Sequence, residues 1–335
     1  MFRIQKLARP IIAPIAGQRV SSRLINAVQS HWVQLDLSGI LNVVTNPAAA
    51  ILNRGSLWAA IDEVHVQENG RDVAVINGRV LRALSEQAAP SSLSSVRASA
   101  LAVAAYPLKE SVRIYFAHPF ALQPRETAFM EHDPRQVLEV GVRLAASGGA
   151  DKLATAGAGG TVTLTALNVN VTHGYDAGET IKPYFIPHIR QQIDAVPGTN
   201  AALPIFLKTP YVIRSIVVSP EDTVLGEVSD IVNSLKLRGD AIEWIADVSW
   251  ENLIAGSEFE FGGASTFNVG DAHLGLNFQT FGRLAKCLNP NQDTNLRFEL
   301  NCQKSLVGTG TSQIRTTIIE LWTDAQLTQP LTIPV

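Results

Sequence analysis

The sequence predicts an all-β protein made of two similar β-sandwiches in tandem. Three observations carry that prediction. Apolar and β-branched residues fall in runs of four to eleven residues, each bounded by Gly, Pro, Asn or Asp. Only two short helical patterns occur, where a chain of βαβ units would alternate its strands with longer helices. An ordered set of these elements then occurs a second time.

The chain starts without acids. Before Asp36 there is none, while Arg3, Lys6, Arg9, Arg19 and Arg23 are interleaved with Pro10, Ile11, Ile12 and Pro14. Residues 1–30 therefore read as a basic arm with too little apolar surface to fold alone. It is either a solvated tail or presequence, or a segment laid against an anionic partner such as nucleic acid or lipid head groups.

Strand-like runs follow at Trp32–Leu37, Glu63–Val66, Val73–Ile76, Ser111–Phe116, Val137–Leu144 and Thr161–Val171. A second series runs through Pro204–Leu207, Val212–Val218, Ser234–Leu237, Ala241–Ile245, Leu274–Phe278, Asn295–Cys302 and Ile314–Leu321. The Ser/Ala-rich stretch Ala88–Ala105 and the Gly/Ala-rich stretch Ser147–Gly160 read as surface loops, since strand runs flank each closely. His173–Gly198, with Pro183, Pro187 and Pro197, is the best boundary. The expected division is residues 31–180 and 181–335.

Aligning two glycine turns exposes the repeat. Gly70 and Gly239 are offset by 239 − 70 = 169, and the same offset takes Val73 to Ile242, Ile76 to Ile245, Leu81 to Trp250 and Leu84 to Leu253. Strand, turn, strand and a two-turn helix (Arg79–Glu86; Ser249–Ala255) thus recur, each helix with apolar residues at i and i+3. Val112–Phe116 then matches Leu274–Phe278, Val137–Leu144 matches Leu296–Cys302, and Thr161–Val171 matches Ile314–Leu321. Four matches in one order favour a duplicated domain.

Composition limits the function. The 335 residues suggest one large or two medium domains, and 46% hydrophobic against 17% charged residues excludes a disordered chain and leaves surface to be covered by something else. The net charge of −3 hides +2 over residues 1–180 (16 basic, 14 acidic) and −5 over 181–335 (11 basic, 16 acidic). Two cysteines exclude a disulfide scaffold and a zinc ribbon. No apolar run approaches the ~18–20 residues of a bilayer span, so a soluble chain with at most peripheral membrane contact is expected.

Eight-stranded jelly rolls are one home for paired sandwiches, and here the residues point to a family. Val33–Gly39, Ile61–Arg71 and the helix at Arg79–Glu86, recurring as Tyr211–Val218, Leu235–Trp244 and Trp250–Ala255, resemble the major capsid proteins of the double jelly-roll lineage, above all those of small icosahedral bacteriophages of corticovirus and finnlakevirus type. The resemblance implies two upright eight-stranded jelly rolls side by side, with short helices after a hairpin in each. It implies a homotrimer forming a pseudo-hexameric capsomer that tiles an icosahedral virion shell, assembled in the host cytoplasm. Neighbouring capsomers, penton proteins and minor capsid proteins would be its partners. Arg3, Lys6, Arg9, Arg19 and Arg23 would then face the capsid interior, meeting an internal membrane or the viral genome, and the two long loops would crown the tile or wedge between neighbours.

Catalytic, cofactor and metal sites are not expected. Gly157–Gly160 lacks the Gly-Lys-Ser/Thr of a phosphate loop and precedes a strand. Arg238-Gly239-Asp240 reads as a hairpin turn whose glycine supplies φ > 0, and Asn170-Val171-Thr172, although a glycosylation sequon, reads as strand. His118, His132 and His173 lack metal-ligand spacing. Glu126, Glu131 and Asp133, with His132, Arg125 and Arg135, read as a solvated mixed-charge loop rather than a calcium or interface site. Cys302 shares strand parity with Leu296, Phe298 and Leu300, as a small core hydrophobe would, and a bridge to Cys287 is not indicated. The alternative function is a carbohydrate-binding or carbohydrate-active double sandwich, with Trp32, Trp58, Trp244, Trp250 or Trp322 stacking on sugars.

Overall fold

A computed structural model describes residues 4–24, 29–45, 51–52, 57–88, 101–116, 130–131, 137–155, 159–176, 186–198, 201–224, 226–260, 273–278, 287–306 and 308–322. The chain forms two compact units: the described residues up to Asp176 belong to the first and those from Ile186 to the second. The boundary expected at 180/181 lies outside the described residues.

Eight strands build the first unit: β1 (Ile4–Ile12), β2 (Arg19–Arg23), β3 (Gln29–Thr45), β4 (Ile61–Glu68), β5 (Arg71–Ile76), β6 (Ala104–Tyr115), β7 (Leu138–Leu144) and β8 (Thr161–Asp176). They pair antiparallel as two four-stranded sets, β1-β8-β3-β6 and β2-β7-β4-β5. Eight more build the second: β9 (Ile186–Ala195), β10 (Ala201–Phe206), β11 (Val212–Asp222), β12 (Val232–Arg238), β13 (Glu243–Ser249), β14 (Leu274–Asn277), β15 (Arg297–Cys302) and β16 (Ser312–Trp322). Their order, β9-β16-β11-β14 and β10-β15-β12-β13, is the first unit's order with each number raised by eight. Each unit is thus a two-sheet, eight-stranded Greek-key sandwich, a jelly roll. Short pairings at Ile51–Leu52 with Ala154–Thr155, Met130–Glu131 with β3, and Gly226–Glu227 with β11 decorate this frame.

Period-two burial shows why these residues make strands. In β3, Val33, Leu35, Leu37, Leu41 and Val43 are buried while Gln34, Asp36, Ser38 and Asn42 between them are half-buried, so one face enters the core. The second core is filled by Ile216 and Val218 of β11, Leu235 and Leu237 of β12, Phe298, Leu300 and Cys302 of β15, and Ile314 and Ile318 of β16.

The matched elements of the sequence repeat take equivalent places: β6 and β14, β7 and β15, β8 and β16, and both hairpins with their helices α1 (Gly78–Ala88) and α2 (Trp250–Glu260). The helices start 250 − 78 = 172 residues apart rather than 169 because β13 runs on to Ser249. Asn77 caps α1 by accepting the Arg79 N–H (3.1 Å).

The turns differ from expectation at one position. Asn69 (φ 52°) and Gly70 (φ 77°) make the left-handed turn of the first hairpin. Gly239 is not left-handed; it is glycine because a Cβ there would lie 2.2 Å from Asp293 Oδ2.

Strands also occupy segments without a strand signature. β1 and β2 lie in the stretch expected as an arm, laid against the chain's own β8 and β7. β9 lies in the stretch expected as a boundary, paired along ten residues with β16.

Candidate interior and assembly surfaces

The basic residues of the first thirty sort by the course of β1 and β2. β1 starts beside Asp176 (Ile4↔Asp176), a short turn follows Ile12, and β2 returns to Arg23 opposite Glu139. Ile4, Arg23 and the Asn69–Gly70 turn therefore share one end of the unit, with Arg19 toward the other. Lys6 and Arg9 stand in β1 opposite Gly174 and Val171. Arg3 lies outside the described residues.

Arg19 and Arg23 are engaged within the chain. Arg23 Nε meets Glu139 Oε1 (3.2 Å), whose other oxygen accepts from Ser21 Oγ (3.0 Å). Arg19 Nε lies 2.5 Å from Glu63 Oε1, and its Nη1 lies 3.4 Å from Asp72. Arg143 Nη2 reaches the second Glu63 oxygen (3.1 Å), and His65 Nδ1 stands 3.6 Å from the first. The Glu63 and His65 side chains are 8% and 2% exposed. Burial, and then Arg19, push the His65 imidazole below its ordinary pKa. Gly141 opposite gives the ring its room, since a Cβ there would lie 2.5 Å from Nε2. Sequence reasoning missed this group because its members come from four strands; the only local signal was two ionisable residues, Glu63 and His65, alternating with Val64 and Val66.

The equivalent sheet of the second unit carries a partly exposed ionic ladder. Lys236 pairs with Glu243 (2.9 Å), Arg297 with Glu299 (2.9 Å) and Asp240 (3.3 Å), and Arg238 approaches Glu299 (3.7 Å). Three cations meet three anions there. Phe206, 40% exposed beneath the Arg297 guanidinium, and Ile242, also 40% exposed, add apolar surface. In the first unit, the outward residues of β8, β3 and β6 are mostly hydroxyls and amides: Thr163, Thr165, Asn168, Asn170 and Thr172 beside Ser38, Asn42 and Ser111.

No tryptophan offers a bare stacking face among the described residues. Trp58, Trp250 and Trp32 are 0%, 3% and 7% exposed. Trp244 packs on the second core, and Trp322 is stacked against both His188 (4.0 Å) and Tyr211 (4.4 Å). Two serine–histidine contacts, Ser30 with His173 (2.8 Å) and Ser219 with His273 (2.6 Å), are buried on both sides, away from any substrate.

The remaining sequence candidates resolve locally. Asp240 of the Arg-Gly-Asp tripeptide is held by Thr294, Asn295 and Arg297, which lower its pKa, so the tripeptide is built into the turn. Asp293 accepts backbone N–H groups of Asp240, Ala241 and Ile242; burial raises its pKa, but these donors outweigh burial and keep it below the usual range. Cys287 and Cys302 are free and buried. Asn170 sits exposed within β8. Among the described residues no three metal-ligating side chains converge, and no helix is long and apolar enough to cross a membrane. His118 and the stretch from Arg125 to Arg135 lie outside the described residues, apart from the backbone of Met130 and Glu131.

No protein-family model matches the chain, and no curated protein sequence does. Solved structures do. The STIV MCP superposes with a TM-score of 0.69 at 13% identity, covering 97% of this chain and 99% of that one. The major capsid protein of bacteriophage PM2 gives 0.61 at 13%, covering 96% and 99%. A chain of the PBCV-1 virus capsid gives 0.60 at 12%, covering 96% and 94%. At such identities the likeness is one of fold, and the fold of this chain is the double jelly roll on which those capsid proteins are built.

Proposed function

We propose that the chain is a structural capsid subunit without catalytic activity. The observation that carries this reading is the extent of the structural match: nearly all of this chain superposes on nearly all of the STIV MCP and of the PM2 major capsid protein, two capsid chains of the same two-unit build. Duplicated jelly rolls with closed cores, and tryptophans buried or stacked against other side chains, leave extended sheet faces as the functional surface.

Those faces suit contact between copies. The ladder of Lys236, Arg238 and Arg297 with Glu243, Glu299 and Asp240 is neutral overall, so it can meet another copy without net repulsion, and Phe206 and Ile242 supply apolar anchors. The hydroxyl and amide face of β3 and β8 is a counterpart that costs little to desolvate compared with a charged one. Three copies would then give a homotrimer of six jelly rolls, a pseudo-hexameric capsomer packing against neighbouring capsomers, penton proteins and minor capsid proteins in an icosahedral virion assembled in the host cytoplasm.

The end that holds Ile4 and Arg23 is the candidate interior end. Lys6 and Arg23 stand toward it, with Arg9 and Arg19 further along their strands, and Arg3 precedes Ile4 in sequence; an internal membrane or the genome is the partner that positive charge would favour. Sedimentation tests the reading: the purified chain should run at three times its 36.1 kDa or above. A stable monomer at micromolar concentration would refute it.

A further inference from the structure

The two units build the same sheet with different chemistry at one place. In β2-β7-β4-β5, Glu63 and His65 are buried with Arg19 and Arg143 around them. In β10-β15-β12-β13, the repeat offset takes Glu63 to Val232 (63 + 169 = 232) and His65 to Ser234 (65 + 169 = 234), opposite Cys302 and Asn301. A jelly roll therefore does not need a buried ionic group here. Burying charge is expensive, and replacing such groups by apolar ones is commonly neutral or stabilising. Their presence calls for a role beyond holding the fold.

Position suggests what the role is. β2 is the outermost strand of its sheet, five residues long, hydrogen-bonded to β7 alone among the described strands. Its first side chain, Arg19, reaches past β7 to Glu63 of β4 and Asp72 of β5. Without that reach, a short edge strand is the element that opens first.

We propose that Arg19, Glu63, His65 and Arg143 form an acid-sensitive latch, which keeps β2 on its sheet at neutral pH and lets it lift when His65 takes a proton.

Burial and then Arg19 lower the His65 pKa, against the opposing pull of Glu63, Asp72 and Glu139. Arg19 comes from β2, Arg143 and Glu139 from β7, Glu63 from β4 and Asp72 from β5. With Arg23 on Glu139, three cations already balance three anions. A proton taken up from solvent by the imidazole adds a fourth cation, buried and near Arg19. Lifting β2 withdraws Arg19 and gives the imidazolium water. Because burial lowers the His65 pKa in the closed state while an opened state has its ordinary ~6.5, the opened state binds the proton more readily. Closure is thus complete above about 6.5 and weakens as pH falls through that value toward the lower folded one.

Hydrogen exchange on the full chain, corrected for the intrinsic pH dependence, tests this. Amides of Arg19–Arg23 should lose protection by on the order of tenfold between about pH 7.5 and 5 while those of Val140 and Val142 keep theirs. His65→Gln should abolish that pH dependence. Arg19→Gln, which leaves Arg143 on Glu63, should lower protection of β2 at neutral pH and flatten its fall with acid. Protection of β2 that does not change with pH, that changes equally in His65→Gln, or that is lost together with β7 would overturn the latch. None of these readouts depends on whether the chain assembles.

Discussion

Replacing Gly174 by alanine probes the packing of the first sheet where two strands leave no room. Gly174 of β8 pairs with Trp32 of β3, and a Cβ on it would lie 2.2 Å from Trp32 Cε2 and 2.6 Å from Cδ2 and Cζ2. Carbon atoms rest at about 3.5–4.0 Å, so the indole must retreat by more than ~1 Å. Retreat is constrained: Trp32 is 7% exposed, and the Arg113 guanidinium sits 4.6 Å from its ring centroid, held by Gln34 Oε1 at 2.8 Å. Overpacking of this kind costs about 1–3 kcal/mol. The stiffer unfolded chain returns about 0.4–1 kcal/mol. A net loss of about 1–2 kcal/mol is expected, read as a lower urea midpoint with unchanged slope. Trp32→Leu removes the obstacle, so the double variant should be more stable than the two single losses added together, by about 1 kcal/mol. A Gly174→Ala protein as stable as the parent, or strictly additive losses, would refute the packing argument. The same geometry denies Trp32 to a sugar ring.

Other consequences are quickly checked. Ala166 bulges out of β8 with φ 53°, a region that costs a side chain about 1–2 kcal/mol, so Ala166→Gly should raise stability by roughly 1 kcal/mol in chemical denaturation. Burial pushes both the Cys287 and Cys302 thiols up to about 12, Cys287 despite the opposing pull of Arg214. An aromatic disulfide reagent at mildly alkaline pH should therefore label neither thiol in the native chain and both after denaturation; rapid native labelling would contradict their placement. Charge reversal within the partly exposed ladder, as in Lys236→Glu with Arg238→Glu, should leave the fold intact by circular dichroism and shift sedimentation toward the monomer.

What could be read before the structure follows from where each signal resides. Alternation in β3, β7, β12 and β15 is written into adjacent residues, and with it the sandwich class. The duplication was legible because both units kept the glycine turn, the hairpin and the helix in order, even though the Gly239 turn keeps its glycine for a different reason. β1, β2 and β9 escaped because prolines 10, 14 and 187 and a run of basic residues obscure their alternation; their pairing partners are distant, as with Ile4 and Asp176 or His188 and Glu320. Distance in sequence also hid the Glu63 group, which no window around Arg19 or Arg143 contains. The capsid reading came from order of elements, and the shared strand order of the two units is its structural counterpart.

The most direct measurement is negative-stain electron microscopy of the purified chain. Hexagonal tiles about the size of six jelly rolls, alone or in sheets or shells, are predicted. Single particles the size of one chain at every concentration and ionic strength would contradict the account.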